Sequence, residues 1–410
     1  MNIIDIPKIY LYNEGGKPSG ETEKGNRTKW TKAAEKSAAW AVMPGEGRPP
    51  AVGSPAMCLC RQLPAKAKIK KGQFVMRPYI MTLDTGTTNT RAILWDGQRR
   101  AVAQQKQAVG VRDTAIDGNN GRLKNAVKDC LEALLREACL TWEDVHCVIA
   151  SGMITSNVGL VEVPHLVAPV GIDNLARGIV RVALPDVCPL PIWFIPGVKN
   201  SGGEITMENL ETMDIMRGEE VESAAIIEQY EPGTPLLLVL PGSHTKFVSV
   251  DASGRITGCL TSIAGELLAS ITNDTILADA VGRRFVEADT YDREALLAGC
   301  RSAARVGLGR TCFSGRIMNQ FITKDTAKVA NFVLGAVLQS DMMAIRHSAA
   351  LAVSPETTVV VAGKAPLQQA IVDILQADGT FADVRAYQPE GDMPLSALGA
   401  YAIARRGNIL

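Results

Sequence analysis

The sequence predicts an α/β protein built from two similar domains, and three observations support this prediction. The chain has 410 residues, more than a single hydrophobic core usually organises. After residue 76, apolar runs of strand length alternate with amphipathic stretches of helix length. A pattern of strand, polar turn and strand near the start returns in the second half. We therefore expect domains over residues 76–233 and 234–410, with residues 1–75 as a separate extension.

The first domain opens with three predicted strands, over residues 79–83, 90–95 and 101–107. A helix is expected next, because the apolar residues of RLKNAVKDCLEALLREACL recur with the helical period. Residues 145–150 then form a short apolar run bounded by Gly152, which is typical of a buried parallel strand that ends in a loop. This order of elements favours an α/β domain.

The second domain starts with a repeat of the same layout. Residues 235–263, PLLLVLPGSHTKFVSVDASGRITGCLTSI, follow the order of YIMTLDTGTTNTRAILWDGQRRAVAQQKQ: strand, tight polar turn, strand, turn with Asp, strand. Gly242 takes the place of Gly86, and Ser243 takes that of Thr87. Matching turns at equivalent positions indicate a duplicated pair of α/β domains.

Two later stretches complete the second domain. TTVVVAGKAPLQQA predicts a strand, Gly363 and a helix, a junction that lets a nucleotide base or ribose approach the backbone closely. A glycine needed only for packing is an equally good interpretation of Gly363. MPLSALGAYAIARR predicts a last helix, whose small residues Ala397, Gly399 and Ala400 would let it pack tightly at the domain junction.

Composition and charge exclude two classes of protein. No run of about 18 or more apolar residues could span a bilayer, although 46% of the residues are hydrophobic, so a membrane protein is not expected. Residues 1–77 hold 14 Lys and Arg against 6 Asp and Glu, and the remainder holds 29 against 37. Because nucleic-acid binders concentrate positive charge, the acidic body argues against a nucleic-acid partner and favours a small molecule.

The cysteines indicate a reducing compartment. Nine cysteines, an odd number without a regular spacing, do not form a disulfide framework, so we expect a cytoplasmic protein. Cys58 and Cys60 lack the spacing and the second pair of a zinc site.

Residues 1–75 are expected to be disordered, since they are rich in Gly, Pro, Lys and Ser and show no sustained apolar period. No apolar segment follows the basic residues, so they do not form a secretory signal. Met76 is also a natural start, and Lys70, Lys71 and Gly72 require a purine-rich coding stretch like a bacterial ribosome-binding site. A mis-assigned extension or a dispensable tail is therefore our preferred interpretation.

The two glycine turns predict phosphate binding. Backbone N–H groups and hydroxyls at such turns form a concavity that accepts phosphate oxygens, and one turn would come from each domain. A lone Asp-Thr-Gly-Thr-Thr is common in β-turns, but two turns at equivalent positions are hard to explain by packing alone. Asp84 would repel phosphate, so it would act through a cation such as Mg²⁺, held directly or through water.

The segment Asp84-x-Gly86-Thr87-Thr88-Asn89-x-Arg91 resembles the first phosphate motif of the sugar kinase, actin and heat-shock ATPase superfamily. Within it, DTGTTNTRA, GMITSNVG, IPGV, IMRGEE, LPGSHTKFV, GEL and VVVAG resemble, in order, segments of the 2-dehydro-3-deoxygalactonokinase family over residues 78–405. The resemblance implies two duplicated actin-like ATPase (ribonuclease H-like) domains with an interdomain cleft. It also implies transfer of the ATP γ-phosphoryl to the 6-hydroxyl of 2-dehydro-3-deoxy-D-galactonate in galactonate catabolism.

The resemblance places the catalytic base at Gly218-Glu219-Glu220, at the front of a helix. A carboxylate there is stabilised as the anion and could take a proton from the acceptor hydroxyl. Glu219 is the preferred base, and Glu220 remains open because the related kinases often use Asp. Both acids could instead be ordinary residues of a first helical turn.

The resemblance also implies a substrate loop and two ATP-binding turns. The substrate residues would be Gly152, Ser156, Asn157 and Gly159, with Arg112 or Arg217 for the carboxylate, although each arginine could be a surface cation. The ATP residues would be Gly86, Thr87, Thr88, Asn89, Arg91, Gly242, Ser243, His244, Thr245 and Lys246, with Gly363 beside the adenosine. Lys246 would neutralise the transferring phosphoryl group or be a solvated strand residue, and His244 could instead cap a backbone group.

Two alternative functions remain open. One is a kinase of another sugar acid or hexose, since no residue here distinguishes the C4 epimers. The other is a non-catalytic, nucleotide-dependent sugar sensor, for which no helix-turn-helix is visible before residue 78. The expected partners are ATP, Mg²⁺ and a sugar acid, and the sequence is compatible with a homodimer.

Overall fold

The computed structural model describes residues 78–231, 233–389 and 391–410. The predictions for residues 1–75 lie outside these described residues. In the described part, strands and helices alternate along the chain, which confirms the predicted α/β class.

The elements follow one another in a mixed order. The strands are β1 (Tyr79–Thr85), β2 (Thr90–Trp95), β3 (Ala101–Gln107), β4 (Val145–Gly152), β5 (Leu166–Val167), β6 (Val180–Val182), β7 (Ile192–Phe194), β8 (Val198–Lys199), β9 (Ile215–Met216), β10 (Leu236–Leu240), β11 (Thr245–Val250), β12 (Ile256–Ser262), β13 (Thr358–Val361) and β14 (Asp383–Ala386). The α-helices are α1 (Val111–Asp117), α2 (Gly121–Ala138), α3 (Ile172–Arg177), α4 (Glu219–Ile227), α5 (Ala264–Asp274), α6 (Arg293–Val306), α7 (Leu308–Phe321), α8 (Thr326–His347), α9 (Leu367–Asp378) and α10 (Leu395–Arg406). The strands predicted in both halves are therefore present where the apolar runs placed them.

Two large sheets share one arrangement of strands. The first has the order β3-β2-β1-β4-β7-β6, and the second has the order β12-β11-β10-β13-β14. In each, a three-stranded antiparallel meander is followed by two strands parallel to its first member. The turns β1–β2 and β10–β11 therefore occupy the same place in the two sheets.

A small third sheet, β5-β8-β9, lies at the outer edge of the second large sheet. The backbone of Val170, just after β5, pairs with Ile256 of β12 through two hydrogen bonds of 2.8 Å. Because β12 is an edge strand, this pairing satisfies backbone groups that would otherwise face solvent. The small sheet leads directly into α4.

Helices α4 and α10 lie within the core that the two large sheets share. This core joins apolar residues of both sheets, among them Ile149 and Leu238, to buried residues of α4 and α10. Ala397 and Ala400 are buried, and a Cβ atom on Gly399 would overlap the carbonyl oxygen of Val221 in α4. The predicted tight packing of the last helix is confirmed.

The other face of each sheet carries its own helices. Met81 and Leu94 pack against α2, and Val239 and Phe247 pack against helices α5 to α9. Apolar residues on both faces explain why the central strands read as continuous apolar runs. Across the described ranges, no helix combines the length and apolar character needed to cross a bilayer.

Candidate active site

The first glycine turn joins β1 to β2 and is shaped from behind by the next loop. The amide of Gly86 donates to the carbonyl of Asn89 at 2.9 Å, which closes the turn. The amide of Arg112 donates to the carbonyl of Thr87 at 3.0 Å, and a Cβ atom on Gly110 would overlap that carbonyl. The Thr87 residue itself is exposed. The turn is therefore held firmly while its outer face stays open, as a phosphate cradle requires.

Polar side chains continue this turn. The amide nitrogen of Asn89 donates to the Thr88 hydroxyl at 2.8 Å. Arg91, opposite Asp84 in the β1–β2 register, lies 3.8 Å from the Asp84 carboxylate and is half exposed. Five predicted ATP residues are thus grouped at one hairpin end.

Asp84 is the second-last residue of β1 and is largely buried. Burial raises the pKa of its carboxyl, and the Arg91 guanidinium and a hydrogen bond from Ser396 oppose this rise. The Ser396 hydroxyl donates to Asp84 Oδ2 at 3.3 Å. Ser396 lies in α10, far away in sequence, so no local pattern pointed to it.

Two glycines bring the loop before α4 next to Asp84. Gly152 has φ +85°, and a Cβ atom there would lie 2.7 Å from Asp84 Oδ1. Gly218 has φ +113°, and its Cβ would lie 3.4 Å from Gly152 Cα. Side chains rarely tolerate such φ values, so both positions favour glycine. The structure therefore joins three predicted regions at one point: the first turn, the substrate loop and the base segment.

Glu219 and Glu220 have different environments. Both carboxylate oxygens of Glu220 accept from the amide of Gly218, at 2.9 and 2.8 Å, and the residue is fully buried. Burial, with the neighbouring charge of Glu219, raises the pKa of Glu220 to about 8. Glu219 is only partly buried, and its Oε2 accepts from the amide of Arg217 at 3.1 Å. Glu219 is thus the more accessible of the two acids.

Glu222 is a third acid of the same helical turn that sequence reasoning missed. Burial, then the charges of Asp84 and Glu219, raise its pKa to about 8. Its position three residues after Glu219 puts both on neighbouring parts of one helix face, which was the available signal.

The described residues do not form a metal site from side chains alone. They contain no group of three or more His, Cys, Asp or Glu side chains arranged to hold a metal ion. Mg²⁺ keeps several waters and is commonly bound by one or two carboxylates together with substrate phosphates. Asp84, in β1 just before the first turn, fits that limited role, with the remaining ligands from water and phosphate.

Arg217 is engaged by protein groups. Its guanidinium donates to Thr155 Oγ1 and to the carbonyl of Val163, both at 2.8 Å, and contacts His165 Nδ1 at 3.3 Å. Burial, with the charge of Arg217, lowers the pKa of His165 to about 4, so the ring is neutral and can accept. Arg217 therefore ties Thr155, Val163 and His165 together, and its expected contact with a substrate carboxylate stays a prediction.

The remaining substrate residues divide into two kinds. The Ser156 hydroxyl donates to the carbonyl of Met153 at 2.7 Å, and a Cβ atom on Gly159 would overlap the carbonyl oxygen of Ile154. These two residues shape the loop. Asn157 is exposed and so presents its amide at the surface of the loop.

The second glycine turn joins β10 to β11 and packs on the start of α5. A Cβ atom on Gly265 would overlap the carbonyl oxygen of Gly242, and the amide of Glu266 donates to the carbonyl of Ser243 at 3.1 Å. His244 Nε2 lies 3.1 Å from Glu266 Oε1, so its nearest charged partner is a carboxylate. Ser243 is exposed.

The strand residues after this turn point into the protein. Thr245 and Lys246 are buried, with 2% and 4% of their surface exposed. The Lys246 ammonium donates to the carbonyl of Ile215 at 2.8 Å and to Thr261 Oγ1, and it lies 3.6 Å from Asp214 Oδ1. The alternative of a solvated Lys246 is therefore wrong, because buried acceptors surround its ammonium group. Its expected role towards the transferring phosphoryl group stays a prediction.

Gly363 lies beside the second turn. A Cβ atom there would lie 3.3 Å from Pro241 Cδ, and the preceding amide, of Ala362, donates to the carbonyl of Val239 at 2.8 Å. Its expected role next to adenosine stays a prediction.

Comparisons with known proteins agree with this picture of the fold. Among solved structures, the chain is similar to a candidate 2-dehydro-3-deoxygalactonokinase from Sinorhizobium meliloti, with 22% identity and a TM-score of 0.60, covering 80% of this chain and 98% of that one. A candidate N-acetylglucosamine kinase from Chromobacterium violaceum has 16% identity and a TM-score of 0.37, covering 80% and 99%. The first likeness shows the fold, and the second is too distant to carry an argument. No curated protein matches the chain.

The family comparison covers the site itself. The model of the family described as 2-keto-3-deoxy-galactonokinase matches residues 84–390, more than half of the 410 residues. This range begins at Asp84 and includes both glycine turns and the Gly218-Glu219-Glu220 segment. The chain therefore belongs to the 2-keto-3-deoxy-galactonokinase family.

Proposed function

We propose that this protein is an ATP- and Mg²⁺-dependent kinase that converts 2-dehydro-3-deoxy-D-galactonate to its 6-phosphate in galactonate catabolism. The observation that carries the proposal is the convergence of Asp84, Gly152 and Gly218 in a chain of this family. We further propose that residues 76–233 and 234–410 are duplicated actin-like domains with a cleft between them. The common strand order of the two large sheets supports this division.

Glu219 is proposed as the general base. It lies at the start of α4, where the helix dipole favours its anion, and it is more accessible than Glu220. Within reach of the acceptor hydroxyl, its carboxylate would take the proton as the new bond to phosphorus forms. Glu220 would act on the backbone, by fixing the Gly218 amide.

The two glycine turns are proposed to bind the ATP phosphates, one from each sheet. The exposed Thr87 and Ser243 would supply hydroxyl and amide donors to phosphate oxygens. Asp84 would hold Mg²⁺ through water or directly, and the cation would neutralise charge on the phosphates. Gly363, next to the second turn, would leave room for the adenosine.

Asn157 and Arg112 are proposed to contact the sugar acid. Asn157 is the exposed amide of the substrate loop, and Arg112 is the second residue of α1, beside the first turn. An arginine can bind a carboxylate in a bidentate manner, which suits a 2-keto acid. Arg217 would instead shape the loop from inside.

A coupled ADP-release assay with Mg-ATP tests the proposal. The panel is 2-dehydro-3-deoxygalactonate, its gluconate epimer, galactonate and glucose. Turnover confined to the first compound is the expected result. Turnover on another member would move the function to a different sugar-acid or hexose kinase, whereas tight ATP binding without turnover on any member would favour a non-catalytic sensor.

A further inference from the structure

We propose that Lys246 is a positioning residue that fixes the base segment, residues 215–219, relative to the second glycine turn. This inference rests on the proposed function, because it assigns Lys246 a role in transfer from ATP bound at that turn. Under this proposal Lys246 does not contact phosphate directly. It affects the transfer by holding the general base, Glu219, in position.

The Lys246 ammonium is engaged by protein groups. A lysine ammonium has three N–H donors. Three acceptors surround it among the described residues: the carbonyl of Ile215 at 2.8 Å, the hydroxyl of Thr261 and the carboxylate of Asp214 at 3.6 Å. With two hydrogen bonds, an ion pair and only 4% of the residue exposed, Lys246 has no open approach for a phosphate.

Lys246 lies close to the second turn in its hairpin. It follows Ser243 by three residues and lies opposite Leu240 in the β10–β11 ladder. A residue in a paired strand so close to the turn moves with that turn. A movement of the second turn would therefore also move the groups that the Lys246 ammonium binds, among them the Ile215 carbonyl.

The path along the chain from Ile215 to Glu219 is short. Ile215 and Met216 form β9, and only Arg217 and Gly218 separate that strand from Glu219. The Arg217 amide is bound by Glu219 itself, and the Gly218 amide is bound by Glu220. A displacement of the Ile215 carbonyl would therefore also displace Glu219.

Further contacts show that the link spans the sheet edge. Asp214 accepts from the Thr261 amide and, at 3.0 Å, from the Thr261 hydroxyl. The Asn200 side chain donates to the carbonyl of Cys259 at 2.7 Å and accepts from the Cys259 amide at 2.8 Å. Side chains thus tie β12 to the segment before α4, and Lys246 supplies the positive charge that balances Asp214.

The experiment compares Lys246→Met in two backgrounds, wild type and Glu219→Gln, by steady-state kinetics and by calorimetric titration with ATP. If Lys246 acts through the base, Lys246→Met lowers kcat about tenfold to a hundredfold, as misplacement of a catalytic group does. The Kd for ATP then stays within about twofold, and in Glu219→Gln the same change alters the residual kcat by less than about twofold.

Control variants distinguish a loss of positioning from a loss of folding. Lys324→Met removes an exposed lysine that also bonds backbone carbonyls, and it should leave kcat unchanged. Because loss of Lys246 leaves the charge of Asp214 unbalanced, the double variant Lys246→Met with Asp214→Asn is included. If Lys246→Met does not fold by circular dichroism, Thr261→Val removes one link and should lower kcat in the wild type but not in Glu219→Gln.

Four results would overturn the inference. A rise of tenfold or more in the Kd for ATP would restore direct phosphate contact. Equal losses of kcat in both backgrounds would mean a general structural role, and an unchanged kcat in Lys246→Met would mean no role. Wild-type protein without turnover on any panel sugar would reject the proposed function and this inference with it, so the two failures are distinguishable.

Discussion

At the scale of single residues, the acids around Asp84 have distinct environments. Glu220 is fully buried against the Gly218 amide, and Glu219 is partly open. The pKa of Glu222 is raised mainly by burial and by the charge of Asp84. These environments fit the proposed roles of Glu219 as the general base and of Glu220 as a support of the backbone.

Replacement of Glu219 and Glu220 separates these roles. Glu219→Gln should lower kcat by about 10²- to 10⁴-fold, the usual contribution of a general base, with ATP binding retained. Glu220→Gln should mainly lower the melting temperature, since it changes the bonds to the Gly218 amide. Kinetics and thermal melts on both variants check this, and a larger kcat loss in Glu220→Gln would exchange the two assignments.

The variant Asp84→Asn tests whether Asp84 helps to bind Mg²⁺. Because the amide cannot replace a carboxylate charge beside Mg²⁺, we expect the Mg²⁺ concentration for half-maximal rate to rise by about tenfold or more. Asp279→Asn, at an exposed carboxylate, is the control and should not change it. A Mg²⁺ dependence identical to the wild type would contradict the proposed role of Asp84.

The pH dependence of stability follows from the raised pKa of Glu220. Its folded pKa of about 8 lies above the ordinary 4.5, so the folded state binds more protons than the unfolded state between these values. The free energy of unfolding should therefore fall as pH rises from about 5 to 8. Denaturant unfolding at several pH values should show a shallower fall in Glu220→Gln; an identical slope would contradict the burial argument.

At the scale of elements, the contact between α4 and α10 holds the shared core together. Gly399 permits it, because a Cβ atom there would overlap the carbonyl oxygen of Val221. The helix that carries Glu219 is thereby packed against the helix that carries Ser396, whose hydroxyl bonds Asp84. Helix packing and site geometry are linked at this contact.

Gly399→Ala should destabilise the protein by about 1–3 kcal/mol, as overpacking of a core does. Gly309→Ala in α7 is the matched control, since nothing lies within 4 Å of its Cβ position. The control should be neutral or stabilise by up to about 1 kcal/mol, because alanine favours the helix. Chemical denaturation measures both, and equal effects would show that the contact is not tight.

At the scale of the whole molecule, the two large sheets share a strand order and a core containing α4 and α10. Proposed phosphate turns come from both sheets, so transfer would require both to approach one ATP. Closure around the sugar would exclude water, which otherwise competes for the γ-phosphoryl group.

ATP hydrolysis without sugar should therefore be slow, below about 1% of the rate with the preferred sugar acid. ADP release measured with and without 2-dehydro-3-deoxygalactonate checks this, with heat-inactivated protein as the control. Fast hydrolysis that ignores the sugar would count against the kinase proposal.

Much of the fold could be predicted from local pattern. The predicted bounds of β1, β2, β3 and β10 lie close to the observed ones, because a strand pattern depends on residues that are neighbours in sequence. The small sheet of β5, β8 and β9 was not predicted, since strands of two residues carry too little pattern. Its position depends on pairing with β12, which lies far along the chain.

For the site, the sequence by itself determined the two glycine turns, Asp84 at a strand end and the acids at the start of α4. Only the tertiary structure decided that Lys246 and Arg217 are engaged by protein groups, that Glu220 is buried, and that Ser396 reaches Asp84. The physical reason is that turns and strand ends depend on nearby residues. The partners of long or buried side chains come instead from distant segments, which only the folded chain brings within hydrogen-bond distance.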